Sequence, residues 1–275
     1  MTAALLAEAG KVGAFVRRDL LVAWSYRLAL FSDIVNIAAQ AFVFSLIGRL
    51  VDPQRLPSYG GTHATYMEFV AIGIVLNLVI ALLLARVATA MRQEQVIGTL
   101  ESLLTTPTRP ATIQIGSAAF EFLWVPIRAA VFLLAIALGF GLDLHAGGIL
   151  PAAVIVLVFV PFVWGLGLVS AGAILTFRRG AGGAAAVAAL LGLASGAFFP
   201  VDLLPGWLSW ITPVNPIAIA LDGIREVLLG GAGWVEVAHA VPLLAPLSAL
   251  SIAVGVATFR LALRRERRLG TLGLY

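Results

Sequence analysis

Six apolar stretches, each about long enough to cross a bilayer, dominate this chain. They are Leu28–Val51, Phe69–Ala90, Phe122–Gly141, Ile149–Phe177, Gly183–Val201 and Ala238–Leu263. A membrane helix needs about 20 mostly apolar residues. Little of the chain is left over: of 275 residues, 61% are hydrophobic and 12% are charged. Soluble domains carry about 25% charged residues, and a globule with half that number could not clothe its surface in polar groups. A soluble enzyme, a disordered chain and a coiled coil are excluded. The expected class is an all-α integral membrane protein with six transmembrane helices.

Charge placement sets the orientation. Cytoplasmic loops of membrane proteins are enriched in Lys and Arg. With the N-terminus in the cytoplasm, the inner segments collect Lys11, Arg17, Arg18, Arg27, Arg86, Arg92, Arg109, Arg178, Arg179, Arg260, Arg264, Arg265, Arg267 and Arg268, which is 14 of the 18 basic residues. Both termini are then cytoplasmic, which an even number of spans requires. The net charge of +4 is explained as a topology signal, and no nucleic-acid partner is implied. The partners on this reading begin with membrane lipid.

The chain is expected to form one transmembrane domain over residues 1–275. Residues 1–27 lack the continuous apolar region of a cleavable signal. Val12, Val16, Leu20 and Trp24 repeat at i, i+4, opposite Lys11, Arg18 and Ser25, which predicts a cytoplasmic interfacial helix. Asp19 intrudes on the apolar side. Residues 28–263 form the six-helix bundle, and residues 264–275 form a basic cytoplasmic tail.

Two longer connections draw attention. The inner one, Met91–Ile115, contains Thr99 as a helix cap, then Leu100, Leu103 and Leu104 on one helical face, then Pro107 as a stop. Such a short helix either lies on its own bundle or fits a partner's groove. The outer one, Asp202–Val237, is too apolar for a solvated loop. Pro200, Pro205, Pro213 and Pro216 cut its approach into pieces too short to span, and Trp207 and Trp210 suit headgroup level. Ile217–Leu229 follows as a helix, with Leu221, Ile224 and Leu228 on one face and Asp222, Arg225 and Glu226 on another. The expectation is an external re-entrant helical hairpin between spans five and six, shielded by protein.

These two segments carry a resemblance. Glu94, Gly98-Thr-Leu-Glu101, Leu104 and Pro107 resemble the cytoplasmic motif of the membrane (permease) subunit of ABC exporters of the second type. Phe199-Pro200, Leu204-Pro205 and Asn215-Pro216 resemble that family's external re-entrant motif. Order and topology agree over nearly the whole chain. Gln93 and Gln95 flank Glu94 where relatives often carry more charge. The resemblance implies that Glu94, Gly98, Thr99, Leu100, Glu101, Leu104 and Pro107 form a coupling helix that docks an ABC ATPase subunit, present in two copies. It also implies a second permease copy, as homodimer or heterodimer, and location in a bacterial cytoplasmic membrane. ATP and Mg would be bound by the ATPase partner, with no cofactor in this chain.

The chemistry within the chain is sparse. There is no cysteine, HExxH is absent, and His63, His145 and His239 are far apart in sequence. Lys11, the only lysine, follows Gly10, but Val12 stands where a P-loop needs Ser or Thr. Within the spans, Asp33, Asn36 and Gln40 share one face by i, i+3, i+7 spacing, as a pathway wall or as interhelical hydrogen bonds. Arg128 lies deep in the third span and needs a carboxylate, for which Asp33 is a candidate. Gly192 and Gly196 in the small-residue fifth span allow close packing, within the chain or between copies.

The function expected is export of a hydrophobic or amphipathic cargo (a drug, a lipid or a lipid-linked glycan), driven by a separate ATPase and not by chemistry in this chain. Two rivals stand beside it: an intramembrane enzyme acting on lipid-linked substrates, and an ATP-independent carrier or channel. The first would need convergent acids or histidines at a membrane face. The second often shows internal repeats, which are not evident here.

Overall fold

A computed structural model describes residues 2–25, 27–51, 56–97, 110–177 and 181–269, though not every side chain within the helices. The chain forms α1 (Thr2–Ser25), α2 (Arg27–Gly48), α3 (Tyr66–Ile97), α4 (Pro110–Phe140), α5 (Ile149–Phe177), α6 (Ala181–Leu193), α7 (Gly206–Ser209), α8 (Pro216–Leu228) and α9 (Gly233–Leu269). A two-stranded antiparallel hairpin, β1 (Ser58–Tyr59) and β2 (Thr62–His63), precedes α3. It lies in the connection between the first two predicted spans, and Gly60 and Gly61 make its turn with positive φ. We call the end of the bundle that carries it the hairpin end.

Among the described residues, three helical stretches are long and apolar enough to cross a membrane: Tyr66–Thr89, Ala146–Phe177 and Gly233–Glu266. Their apolar windows are 67%, 44% and 22% buried, so α3 is the central helix and α9 the most peripheral of the three. The core gathers on α3, where Phe69, Val70, Ala71 and Ile72 are almost fully enclosed. Phe132 and Ile136 of α4 and Ile155 and Phe159 of α5 pack around it.

The helix bounds correct several expectations. The inner connection is shorter than Met91–Ile115. Nothing between Met91 and Ile97 breaks a helix, so α3 runs through Ile97, and Pro110 opens α4 at the first-turn position where its missing N–H costs nothing. The predicted fifth span is not one helix. α6 stops at Leu193 after 13 residues, which is about 20 Å of rise against the roughly 30 Å of a hydrocarbon core. The apolar composition continues to Val201, but the backbone does not continue as helix.

α5 and α9 pack backbone to backbone. A Cβ at Gly165 would lie 2.3 Å from the Ser251 backbone, and one at Gly255 would lie 2.4 Å from the Gly165 carbonyl oxygen. Ser248 and Ser251 donate to the carbonyls of Val158 and Phe162, both at 2.8 Å. Small residues bring the helices close enough for these bonds, as in membrane helix pairs generally.

α1 is helical, but its buried face differs from the predicted stripe. Leu20 is 46% exposed, whereas Phe15 and Asp19 are buried. Phe15 covers Gly116 of α4, where any Cβ would strike its ring. Asp19 is buried because it is paired: Arg86 of α3 donates to it at 2.6 Å and Arg18 at 2.8 Å. Periodicity marks a polar residue on a packed face as an intrusion, and here a guanidinium 67 residues away accounts for it. A double-mutant cycle on Asp19→Ala and Arg86→Ala in detergent unfolding is expected to give a coupling of about 1 to 2 kcal/mol. Additive effects would mean that the pair does not hold α1.

Candidate functional site

The break after α6 is the most elaborate polar construction among the described residues. A helix ends with carbonyls that lack helical partners. Within an apolar bundle each must find another donor. The residues around the break supply them nearly one by one.

Leu191 O accepts from Asn215 Nδ2 at 2.7 Å. Gly192 O accepts from Ser195 Oγ at 2.6 Å. Ala194 O accepts from Thr212 Oγ1 at 2.9 Å, and Phe198 O accepts from Tyr66 Oη at 3.0 Å. Gly196 O and Ala197 O accept from Arg225 Nη2 at 3.1 and 3.2 Å. Ser195, Asn215 and Arg225 are each no more than 1% exposed. The chain turns at Gly196, whose φ of +73° suits glycine, and an added Cβ there would meet Val201 at 2.8 Å.

Asn215 serves two helices at once. Its Nδ2 holds the end of α6, while its Oδ1 accepts from Ile217 N at 3.0 Å and caps the start of α8. Pro216 follows at the first helical position. The Asn215-Pro216 pair is therefore the junction of two half-length helices.

Arg225 ties the break to α3. Its Nε and Nη2 both donate to Phe69 O, at 3.2 and 2.8 Å. Its guanidinium carbon lies 3.6 Å from the centroid of the Phe69 ring, a cation–π geometry. Among the described residues its carboxylate partner is Asp222, 3.8 Å away and 56% exposed. This corrects the expectation that Arg225 shares a polar outer face with Asp222 and Glu226. Arg225 is the largest fully enclosed side chain described. It faces the α6 break and α3, and backbone carbonyls there replace solvent.

Close backbone approaches lock the assembly. An added Cβ would lie 2.0 Å from Ala197 O at Gly73, and 2.0 Å from Val227 O at Gly148. Gly60 of the hairpin turn sits against Gly230 just beyond α8. Tyr59, buried beside Arg225, has its phenol pushed up to about 12 by desolvation, with Arg225 pulling the other way.

The remaining predicted residues distribute as follows. Phe199 is half-buried, Pro200 is buried, Leu204 is half-buried and Pro205 is exposed, all at the hairpin end with the break. Gly192 and Gly196 are buried inside the chain, Gly192 opposite Asn77 of α3, so the exposed face of α6 is formed by Val187, Leu190 and Leu193. Gln40 is exposed on α2. Asp33, Asn36 and Arg128 belong to α2 and α4, but their side chains lie outside the described ones, and so does the suggested Asp33–Arg128 pair. Glu94 falls in the last turn of α3, its side chain also outside the description. Gly98, Thr99, Leu100, Glu101, Leu104 and Pro107 lie outside the described residues.

Sequence reasoning missed Tyr66, Thr212 and Arg225. Arg225 was visible as a charge in an apolar helix, and such a charge needs a partner. The fold also brings together groups distant in sequence: His63 and His145, with Tyr59, Glu68 and Asp143, line a cavity of about 540 Å³ at the hairpin end. Among the described residues no three such groups are arranged to hold a metal ion.

Comparison with curated proteins found no significant match. A family model described as ABC-2 type transporter matches residues 11–229, a stretch from α1 through the break to the end of α8. With apolar helices of spanning length and a match over most of its residues, the chain belongs to the ABC-2 type transporter family, as a membrane permease.

Proposed function

We propose that this permease is the membrane half of an ATP-driven exporter for a hydrophobic or amphipathic cargo. The family match over residues 11–229 carries the reading. The sequence given holds no P-loop, and in this reading a separate ATPase subunit supplies the energy. In this reading six segments traverse the cytoplasmic membrane, with α6 and the α7–α8 region together making the fifth crossing and an external re-entrant hairpin. Both termini are cytoplasmic, in keeping with the positive-inside count. Two copies, or this chain and a similar one, form the pathway, and two ATPase subunits dock below.

The docking element is the segment from Glu94 to Pro107. By resemblance to the family's cytoplasmic motif, Gly98, Thr99, Leu100, Glu101 and Leu104 belong to its coupling helix. ATP binding closes the ATPases, moves this helix and drives α3, and α3 carries Arg225 and the broken end of α6 with it. The exposed apolar faces of α2 (Phe42, Val43, Leu46) and α6 (Val187, Leu190, Leu193) support a shared face between copies. Asp33, Asn36, Gln40 and Arg128 are the candidate polar lining of the path.

Replacing Leu100 with Asp and Glu101 with Lys together is expected to abolish co-purification with the partner ABC ATPase subunit, while the permease remains folded. Retained binding with full coupling of ATP hydrolysis to transport would remove the coupling-helix assignment.

A further inference from the structure

The broken end of α6 is a place that calls for a cation. The last carbonyls of a helix carry about half a negative elementary charge, and where membrane helices break, exposed carbonyls and helix C-terminal ends coordinate ions. The neutral donors Asn215, Ser195, Thr212 and Tyr66 take four carbonyls at this break. Gly196 O and Ala197 O, in the turn beyond the end of α6, remain, and Arg225 bridges them to Phe69 O in the first turn of α3.

We propose that this carbonyl cluster is a monovalent-cation site that the protein fills from within, with Arg225 as a tethered ion. Its guanidinium reaches all three oxygens within 3.2 Å and lies on the Phe69 ring, so carbonyl dipoles and a π-face surround the charge. Asp222 forms a long ion pair with it at 3.8 Å from a half-exposed position, so the hydrogen bonds to the charge come from the carbonyls. Tyr59 of the hairpin is buried beside Arg225 and hydrogen-bonds with it. A soluble Na⁺ or K⁺ is therefore not needed to stabilise the break. The inference rests on this geometry alone and does not depend on the identity of the energy source.

The test uses the full-length chain in detergent micelles and follows its thermal midpoint by tryptophan fluorescence. Arg225→Ala is expected to lower the midpoint. Guanidinium chloride at tens of millimolar, well below denaturing levels, is expected to restore at least half of the loss, whereas NaCl at equal ionic strength and urea at equal concentration restore none. The wild-type chain is expected to gain nothing from guanidinium and to keep its midpoint when choline replaces sodium and potassium. Arg225→Gln retains amide donors without charge, and Arg225→Lys retains charge with fewer geometric matches, so Lys is expected to stand above Gln. Three results would overturn the proposal: guanidinium no better than NaCl on Arg225→Ala, Gln equal to or better than Lys, or a sodium or potassium requirement in the wild type. Should Arg225→Ala fail to accumulate, the Lys and Gln variants and the wild-type ion exchange still decide it.

Discussion

Gly73→Ala is expected to unseat the hairpin end of the bundle, although it adds a single methyl group. The new Cβ would lie 2.0 Å from Ala197 O and 2.8 Å from Ala197 C. Both atoms are backbone, so no rotamer change relieves the clash, and the α6 break must back away from α3. That movement stretches the Arg225 bonds to Gly196 O, Ala197 O and Phe69 O together. Overpacking ordinarily costs about 1 to 3 kcal/mol. Here loss of hydrogen bonds to a buried charge, each worth about 1.5 to 3 kcal/mol, adds to it. A destabilisation above about 3 kcal/mol and loss of transport are expected. Gly183→Ala on α6 is the control, because its Cβ would meet nothing within 4 Å. That change removes a flexible glycine from an exposed helix position and should be neutral or mildly stabilising. Unfolding midpoints of the two variants in the same detergent provide the comparison. Equal midpoints would mean that α3 does not hold the break.

Asn215→Ala should be nearly as damaging, for a different reason. It removes the cap of α8, worth about 1 kcal/mol, and leaves Leu191 O buried without its donor, at about 1 to 3 kcal/mol. The expected loss is about 2 to 4 kcal/mol. Asn215→Asp separates the two roles. Its carboxylate keeps the cap on Ile217 N but has no proton to give Leu191 O, and it sets a negative charge against the C-terminal carbonyls of α6. The aspartate is therefore expected to gain little or nothing over alanine, even though Asp and Asn are equally good N-caps in isolation. A wild-type midpoint for Asn215→Asp would show that the amide holds only α8.

Both predictions concern a feature that was half legible beforehand. Proline spacing from Pro200 to Pro216, with tryptophans between, marked a segment unable to span, and Ile217–Leu229 read as the helix after it. The place where α6 ends was not legible. Gly183–Val201 is apolar throughout, so hydropathy sees one span, while the backbone leaves the helix at Leu193. What licenses the early ending is a set of donors elsewhere in the chain. Tyr66 is 132 residues from its acceptor and Arg225 is 28 or more from its own. Arg225 itself was assigned to a polar face because its neighbours Asp222 and Glu226 are charged. A helical wheel records which residues share a side but not what that side meets. Asp19 misled in the same way until Arg86 was seen opposite it.

The sequence by itself determined that this is an apolar helical membrane protein and where its breakers lie. These follow from side-chain hydropathy and backbone restrictions at Pro and Gly, which are local and survive in any arrangement of the helices. Only the tertiary structure decided that the predicted fifth span is a half-helix, that Asn215 joins two helix ends, and that a buried arginine neutralises the break. A carbonyl freed from its helix places no mark on the sequence around it. Its partner is chosen by proximity in space, so the residues that make the break tolerable were recognisable only once the helices had been packed.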